Sequence, residues 1–383
     1  MTAAATLRGL RLAHLIETDG PGGAERMVAS LAADLQAAGA ENVVIAPASG
    51  EGWLGRELRG TGVTMDFFHL DRPVSPASAR WLTAALRRHR VALAHSHEFT
   101  MAVYGAWAAR RAGVPHVITM HGSRYYAGRW RRRIAMHLAC RVAGATVAVS
   151  QSLATHLRRD LWLPPLRVTT IPNGARLATV GQSSLRNELG LRDGEQLAVA
   201  VGNLYPVKGH VHLVEALGLL SQRFPRLHVA IAGRGEMEEP LRARAQALHV
   251  SERLHLLGLR ADVGNVLGGA DVFVQPSLSE GLPLAIIEAM LAQRPIVASA
   301  VGELPTVLGD GAGALVPPGD AQALAETLGR FLEDPAVATR VGAAAARRAQ
   351  REYTLDRMVE RYTALYAALL QRRSRRRPTL TDY

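Results

Sequence analysis

Two glutamates in the second half of the chain, Glu280 and Glu288, are separated by seven residues. An apolar run predicts a buried strand that ends at Gln275, and a helix is predicted to begin near Pro283, since proline is favoured in the first turn. Glu280 would then lie in the loop, and Glu288 about one and a half turns inside the helix. A carboxylate on the buried side of a helix is costly unless it accepts hydrogen bonds, for example from the vicinal hydroxyls of a ribose.

The predicted start of this helix offers a site for an anion. Gly281 and Leu282 precede Pro283, and the unpaired N–H groups and macrodipole of a helix N-terminus favour negative charge. An anion site flanked by two carboxylates suits a ligand that carries both phosphates and hydroxyls. The alternative is a structural role, with Glu280 exposed to solvent and Glu288 paired with a nearby arginine.

The chain contains one lysine, Lys208, because arginine supplies the other 44 of its 45 Lys and Arg residues. Lys208 lies in a glycine-rich turn over residues 202–209, after a predicted strand. A guanidinium fork replaces a compact ammonium poorly, so a lysine retained at this position indicates a point charge with a function. The alternative is that a lysine occurs at this position by chance.

Two features of the first half could also meet a ligand. Gly22 and Gly23 follow the first predicted strand and open a long helix, where glycines let a backbone approach a phosphate. His121 ends the fifth predicted strand, and His95 and His97 end the fourth. A glycine-rich turn can be only a tight turn, and a histidine at a strand end is often structural, so the residues alone leave both interpretations open.

The elements that must position these candidates alternate along the whole chain. The first half is predicted to contain strands over residues 12–17, 43–47, 65–70, 91–95, 116–121 and 146–150, with helices over 24–38, 77–89 and 101–112. After residue 174 the pattern restarts, with strands over 197–201, 228–232, 254–257, 272–275, 296–298 and 314–317 and closing helices over 321–332, 336–351 and 355–370. Continuous apolar strands, each followed by a helix, indicate two parallel sheets in an α/β fold.

Composition narrows the class of protein further. The single cysteine, Cys140, cannot form an internal disulfide, which favours a reducing cytoplasm. Residues 3–16 lack the uninterrupted apolar run of an export signal, and no run reaches the roughly 18 apolar residues of a membrane-spanning helix. Nine arginines lie within residues 129–133 and 372–377, so the basicity is local and is open to nucleic acid, anionic lipid or solvent.

Taken together, the motifs resemble glycosyltransferase family 4. They are the Glu-x7-Glu pair, the turn over 202–209, Ile171-Pro172-Asn173-Gly174, Ala232-Gly233-Arg234-Gly235 and the Gly22-Gly23 loop, which occur in the family's order across almost the whole chain. The resemblance implies a GT-B fold, in which two Rossmann-like, doubly wound domains face each other across a cleft. It also implies a nucleotide-diphosphate sugar as donor, retention of anomeric configuration, and no essential metal or other cofactor.

The resemblance implies a role for individual residues. Glu288 would bind the ribose hydroxyls, and Glu280 would contact the donor sugar and stabilise charge at the anomeric carbon. Lys208 would neutralise the departing diphosphate, and His121 would contact the sugar from the first domain. The remaining donor-binding residues that it implies are Gly22, Gly23, Asn203, Gly233, Arg234, Arg260, Gly281, Leu282, Pro283 and Leu284.

One of these residues, Asn203, departs from the family, which usually has an arginine at that position. The departure removes one of two cations expected near the diphosphate, and Arg234 or Arg260 would have to compensate.

We therefore expect a retaining, hexosyl-transferring enzyme with an acceptor domain over residues 1–178 and a donor domain over 190–350. The last helix, about 355–370, should pack back on the acceptor domain, and residues 371–383 should form a disordered basic tail. The preferred acceptor is a lipid-linked or surface-polysaccharide intermediate. A catalytically weak nucleotide-sugar-binding module and a transferase for a small soluble acceptor are the alternatives. A nucleic-acid-binding protein would leave the glutamates and the lysine unexplained, so no nucleic acid is expected.

Residues 125–133 predict a contact with an acceptor or with an anionic membrane, at its cytoplasmic face. Aromatic rings favour the headgroup region, and arginines favour an anionic surface. The segment leads into a predicted helix with Ile134, Met136 and Leu138, and a solvated basic helix is the alternative. The residues concerned are Tyr125, Tyr126, Arg129, Trp130, Arg131, Arg132 and Arg133.

No metal site is expected from the sequence. His95, His97 and Glu98 are the nearest candidate, but adjacent strand residues point to opposite faces, and a third ligand is missing.

Overall fold

The computed structural model of the chain describes residues 6–47, 52–69, 75–122, 128–176 and 183–376. These residues form two compact units. Unit 1 contains the described residues up to Asn173 together with those from Leu355 onwards, and unit 2 runs from Gly174 to Thr354. Each unit is built on a parallel sheet with flanking helices, so the predicted α/β class is confirmed.

In unit 1 the described strands form a sheet with the order β3-β2-β1-β4-β5-β6-β7. The strands are β1 (Arg11–Leu15), β2 (Glu41–Pro47), β3 (Thr64–Phe68), β4 (Leu93–His97), β5 (His116–Met120), β6 (Ala145–Ala148) and β7 (Val168–Thr170). The helices are α1 (Gly23–Ala37), α2 (Trp53–Glu57), α3 (Pro76–Arg88), α4 (Glu98–Ala112), α5 (Trp130–Val142), α6 (Gln151–Asp160) and, at the end of the chain, α15 (Leu355–Arg376). The sequence pattern does not predict β7, because three residues at a sheet edge carry too little periodicity.

The last helix, α15, packs in the core of unit 1. Tyr362 and Tyr366 on this helix are fully buried. The Tyr366 hydroxyl lies 2.6 Å from His95 Nδ1, and the Tyr362 hydroxyl lies 3.0 Å from Thr119 Oγ1. The expectation of disorder after residue 371 is wrong as far as Arg376, because α15 continues to that residue.

In unit 2 the described strands form a sheet with the order β10-β9-β8-β11-β12-β13. The strands are β8 (Gln196–Val201), β9 (Leu227–Ala232), β10 (Leu254–Leu256), β11 (Val272–Gln275), β12 (Ile296–Ser299) and β13 (Ala314–Val316). The helices are α7 (Leu185–Glu188), α8 (His210–Leu220), α9 (Glu238–Ala247), α10 (Val263–Gly268), α11 (Leu284–Leu291), α12 (Leu304–Val307), α13 (Ala321–Glu333) and α14 (Pro335–Glu352). The strands predicted from apolar runs are confirmed, because both faces of this sheet are buried.

In both sheets the first strand of the unit lies where the strand order reverses. β1 pairs with β2 and β4, and β8 pairs with β9 and β11. In open parallel sheets, ligands bind beyond the carboxyl ends of the strands at such a switch point. The loops that follow β1 and β4, and those that follow β8 and β11, are therefore where a site is expected.

Candidate active site

The chain's one lysine and a buried glutamate form an ion pair at the switch point of unit 2. Lys208 ends a one-turn 3-10 helix (Pro206–Lys208) after β8, and Glu280 lies in the loop after β11. The Lys208 Nζ lies 2.7 Å from Glu280 Oε1, and the two side chains are 22% and 7% exposed. Because β8 and β11 are neighbours in the sheet, their loops meet at one edge. The fold thus joins two residues that the sequence separates widely.

The same carboxylate oxygen of Glu280 accepts two further hydrogen bonds. The Ser277 hydroxyl donates to Oε1 over 2.7 Å, and the Gln275 side-chain amide donates to it over 3.0 Å. Hydrogen bonds to an ionised oxygen are short and strong, so they fix the orientation of this carboxylate. Sequence reasoning missed Ser277 and Gln275, although polar residues at the end of an apolar strand are a signal that could have found them.

Two glycines allow these loops to approach each other closely. Gly209 has φ +64°, and a Cβ there would overlap the carbonyl oxygen of Pro276. Gly302 has φ +56°, and a Cβ there would overlap the carbonyl oxygen of Glu280. Both positions therefore require glycine, for conformation as well as for space. A side chain at either would displace the loop that carries Lys208 or Glu280.

Helix α11 positions the second glutamate. Pro283 is the N-cap and Leu284 the first helical residue, which agrees with the predicted start. Residues 281–282 link the N-cap directly to Glu280, so Glu280 lies in the loop that leads into this helix. Glu288 is half-buried and lies one turn inside α11.

The turn after β8 has an exposed arginine beside it. Asn203 is half-buried in this turn, next to Gly202 and the end of β8. The Leu204 N–H donates to the Arg234 carbonyl oxygen over 3.0 Å, which holds the residues after β9, Gly233 and Arg234, against the turn. The Arg234 side chain is exposed to solvent. Arg234 thus lies beside the turn that contains Asn203, the position at which the resemblance implies an arginine.

The other candidate cation, Arg260, is engaged with carboxylates. Its Nε and Nη2 bind the two oxygens of Asp262 at 2.7 and 2.6 Å, and its Nη1 binds Glu188 at 2.9 Å. The guanidinium lowers the pKa of Asp262 to about 2. Each of its three nitrogens faces a carboxylate in this structure, so the arrangement favours Arg234 over Arg260 as the compensating charge.

In unit 1, the glycine loop that opens α1 was expected to approach a ligand at both Gly22 and Gly23, and the structure differs from this expectation at Gly22. Gly22 is the N-cap of α1, and a Cβ there would overlap the Glu25 carboxylate, which folds back over the loop and is 8% exposed. Glycine at 22 therefore makes room for Glu25. Nothing lies within 4 Å of a Cβ at Gly23, so this position is open to a ligand.

His121 follows β5 at the carboxyl edge of the sheet in unit 1. Its backbone N–H donates to Glu98 Oε1 over 3.1 Å, and its Nε2 lies 3.4 Å from His97 Nδ1. Within the described part of the chain, the inaccessible Nδ1 has no hydrogen-bond partner. Burial lowers the pKa of His121 to about 4, so the ring is neutral at pH 7 and can bind a hydroxyl without adding charge.

The expectation about a metal site was wrong in its geometry. His95 and His97 are two residues apart and share a face of β4, and His14 on β1 provides a third imidazole, with one ring nitrogen of each within 4.8 Å of the others. However, both ring nitrogens of His95 already bind hydroxyls, those of Tyr366 and Thr119. The three residues therefore do not fit a three-ligand metal site as they are arranged here.

Helix α5 presents a line of exposed apolar side chains on the surface of unit 1, which we call the α5 face: Trp130, Ile134, Leu138 and Val142. A further exposed ring, Trp162, lies beside this helix, with its centroid 6.2 Å from that of His137. None of the described helices is long and apolar enough to cross a membrane. Met136, expected on the same surface, is buried in the core.

The arginines predicted to accompany this surface divide into two groups. Arg129 and Arg131 are exposed, whereas Arg132 lies over the Phe99 ring and Arg133 donates to the Asp160 carbonyl oxygen over 2.7 Å. Arg132 and Arg133 therefore contribute to packing as well as to charge. Tyr125 and Tyr126 lie outside the described residues.

Comparison with protein families matches both halves of the chain. Residues 21–179 match Glycosyltransferase Family 4, and residues 181–348 match Glycosyl transferases group 1. Alpha-maltose-1-phosphate synthase of Mycobacterium tuberculosis is 32% identical over 308 residues, which cover 71% of this chain and 78% of that protein. UDP-Gal:alpha-D-GlcNAc-diphosphoundecaprenol alpha-1,3-galactosyltransferase of Escherichia coli is 30% identical over 229 residues, which cover 56% of this chain and 59% of that enzyme.

Solved structures share the fold over nearly the whole length. Anabaena HepE in complex with UDP superposes with a TM-score of 0.83 at 22% identity, covering 94% of this chain and all of that one. Sucrose-phosphate synthase from Thermosynechococcus elongatus gives 0.81 at 21% identity, covering 95% of this chain and all of that one. The expected two-domain GT-B fold is thereby confirmed.

Proposed function

Since this chain belongs to glycosyltransferase family 4, we propose that it transfers a sugar from a nucleotide-diphosphate sugar, with retention of anomeric configuration and without an essential metal. The observation that carries this proposal is the ion pair between Lys208 and Glu280, which lies in the loop that leads into α11. The similar E. coli enzyme is named for UDP-Gal, and HepE was solved with UDP and with UDP-glucose, which makes a uridine diphosphate the first donor to test.

Lys208 supplies the positive charge that the leaving group requires. Cleavage of the anomeric C–O bond leaves the electron pair on the diphosphate, so its negative charge grows towards the transition state. The ammonium and the N–H groups of residues 281, 282 and 284 at the start of α11 stabilise that growing charge. A lysine ammonium has three donors, so Lys208 can hold Glu280 and a phosphate oxygen at once.

The remaining residues bind and orient the donor. Glu280, fixed by its three hydrogen bonds, steadies positive charge at the anomeric carbon, and Glu288 binds the ribose hydroxyls. Arg234 takes the place of the cation that Asn203 lacks, and His121 contacts the transferred sugar through a neutral ring. The acceptor attacks from the side on which the diphosphate departs, and a phosphate oxygen takes the acceptor proton.

A ligand screen followed by product analysis tests this function. Thermal-shift assays with UDP, GDP, ADP and their glucose derivatives should raise the melting temperature for one base, since a ligand at 100 times its Kd adds about 2.7 kcal/mol of stability. With that donor and excess EDTA, NMR of the first product formed should show the donor's own anomeric configuration. An inverted product would refute retention. Binding without any turnover would favour the nucleotide-sugar-binding module.

We further propose that the enzyme is peripheral on the cytoplasmic face of a membrane and acts on a lipid-linked acceptor. The α5 face supports this, because Trp130 and Leu138 are 66% and 57% exposed and the exposed Arg129 and Arg131 flank Trp130 in the chain. Trp162 is 62% exposed and has φ +48°, a strained conformation for a bulky residue. Apolar rings with arginines beside them suit the headgroup region of an anionic bilayer.

Vesicle co-sedimentation tests the membrane proposal. Binding should rise with the fraction of phosphatidylglycerol in phosphatidylcholine vesicles and weaken between low and physiological salt, since about 1 kcal/mol per arginine comes from a screened interaction. Ile134→Ser with Leu138→Ser should reduce binding, whereas the matched control Leu219→Ser, an exposed leucine on α8, should not. Wild-type protein that stays in the supernatant with anionic vesicles at low salt would leave a soluble acceptor as the better conclusion.

A further inference from the structure

Glu98 occupies an unusual backbone conformation at the switch point of unit 1. It directly follows β4 and is the first residue of α4, with φ +63°. A non-glycine residue in the left-handed region is strained, and such strain is found mainly where a side chain must be presented in one direction. Glycine or asparagine would relieve the strain, so a glutamate at this position indicates a use for its carboxyl group.

The two carboxyl oxygens of Glu98 have different surroundings. Oε1 accepts the His121 backbone N–H over 3.1 Å, whereas Oε2 is inaccessible to water and has no hydrogen-bond partner among the residues that the structure describes. The residue is 8% exposed. Buried polar atoms almost always have a partner, so an unpartnered oxygen at a switch point indicates a place where a ligand supplies one. His121 Nδ1 and His97 Nε2 also lack a hydrogen-bond partner in the described ranges.

The charged groups around Glu98 are mostly acidic. Glu17 follows β1, burial raises its pKa, and Glu25 lies on α1. The flanking rings of His97 and His121 are neutral, and Arg132 acts on Glu17. Burial and the Glu17 carboxylate raise the pKa of Glu98 to about 8, so at pH 7 its Oε2 carries a proton. These surroundings disfavour another negative charge and offer a donor to a hydroxyl oxygen.

We propose that Glu98 is an acceptor-binding residue, whose Oε2 hydrogen-bonds a hydroxyl of an uncharged sugar ring. The reactive end of the acceptor is then a neutral glycosyl unit, and any phosphate that the acceptor carries lies away from this position. The proposal rests on the proposed glycosyltransferase function and adds the chemical class of the acceptor's reactive end.

The test compares transfer to a sugar with hydrolysis of the donor in the same protein. UDP-, GDP- and ADP-glucose serve as donors, and methyl α-D-glucoside, methyl α-D-galactoside and methyl N-acetyl-α-D-glucosaminide serve as uncharged acceptors, with glucose 6-phosphate as the anionic arm. Glu98→Gln keeps the size of the side chain and the carbonyl oxygen that accepts the His121 N–H. Its Nε2–H also replaces the Oε2–H donor, so this variant should keep the ratio of transfer to hydrolysis near the wild-type value at pH 7. Glu98→Gly has no side-chain donor and should lower that ratio by about 10- to 100-fold, as expected for a lost hydrogen bond to a buried group.

Control measurements separate this role from a structural one. Glu57→Gln removes an exposed carboxylate of unit 1 and should leave both rates unchanged. Glu98→Gly relieves the strained backbone, so it should fold and still lose transfer. In the wild-type protein the ratio should fall as the pH rises through about 8, because Oε2 loses its proton, and in Glu98→Gln it should not change over this range.

Several results would overturn the inference. If Glu98 only holds His121 in place, transfer and hydrolysis will fall together in Glu98→Gly and the ratio will stay constant. A ratio that rises with pH would exclude Glu98 Oε2 as a hydrogen-bond donor. Transfer to glucose 6-phosphate in preference to every uncharged sugar would exclude the proposed class of acceptor. Hydrolysis of the sugar donor with no transfer to any of the three uncharged sugars would exclude it as well. Absence of donor hydrolysis in the wild-type protein would instead refute the proposed function on which the inference rests.

Discussion

Replacing Lys208 by alanine removes the one ammonium group at the proposed diphosphate site. At 2.7 Å and an effective dielectric constant of about 20, its attraction to Glu280 amounts to roughly 6 kcal/mol before desolvation is subtracted. Desolvation offsets much of this, and the Ser277 and Gln275 donors still bind the carboxylate in the variant. We therefore expect the free energy of unfolding to fall by only about 1–3 kcal/mol.

The effect of Lys208→Ala on catalysis should be larger than its effect on folding. Loss of one electrostatic contact that strengthens in the transition state lowers kcat by about 10²–10³. Lys208→Arg should be partly impaired, because a planar guanidinium does not reproduce a point charge. The assay is steady-state donor hydrolysis and transfer, together with urea unfolding of the same preparations.

A second substitution separates a direct role of Lys208 from a merely neutralising one. If Lys208 only compensates the Glu280 charge, then Lys208→Ala with Glu280→Gln should bind nucleoside diphosphate as tightly as wild-type protein, and that result would refute the reasoning. If Lys208 contacts the diphosphate, the double variant should bind as weakly as Lys208→Ala alone. Arg242→Ala, which breaks an exposed 3.0 Å ion pair with Glu238, is the matched control and should change neither kcat nor binding.

Four further predictions follow from the same structure. Glu288→Gln should raise the Kd for nucleoside diphosphate about tenfold, while Glu280→Gln should leave that Kd nearly unchanged and depress turnover; calorimetry showing equal weakening in both would contradict this division. Activity should persist in excess EDTA, and loss that magnesium or manganese restores would contradict it. Asn203→Arg should tighten donor binding and Arg234→Ala should weaken it, whereas equal Kd values in all three proteins would remove Arg234 from the site. Unit 1 should lose stability as the pH falls from 6.5 towards 4, because its buried histidine rings are neutral when folded and take up protons only on unfolding. The loss at pH 5 should be about 2 kcal/mol for each buried histidine whose pKa is near 4. A melting temperature that stays constant from pH 7.5 to 5 would be inconsistent with this.

The sequence by itself determined most of the strands, the main helices and the candidate residues of the proposed donor site. Apolar runs mark the central strands because a parallel sheet buries both faces of each strand, so no information about neighbours is needed to recognise them. Lys208, Glu280 and Glu288 could be selected from residue type and local context, since a single lysine, a helix start after proline and paired carboxylates are local signals. The same reasoning could not predict β7 or the extension of α15 to Arg376, because the local sequence pattern is weak in both segments.

Only the tertiary structure decided which of these residues meet. The contact between Lys208 and Glu280 joins loops 72 residues apart and depends on β8 and β11 being neighbours, which follows from strand order and not from either segment. Likewise, His14 reaches His95 and His97 because β1 pairs with β4, and Arg260 is engaged by Asp262 and Glu188. The strained backbone and unpartnered oxygen of Glu98 have no sequence signal, because both are set by the packing of the elements around it. Long-range contacts depend on the free energy of the whole fold. A local sequence pattern can therefore indicate that a residue is a candidate for a site, but it cannot predict which residue it contacts.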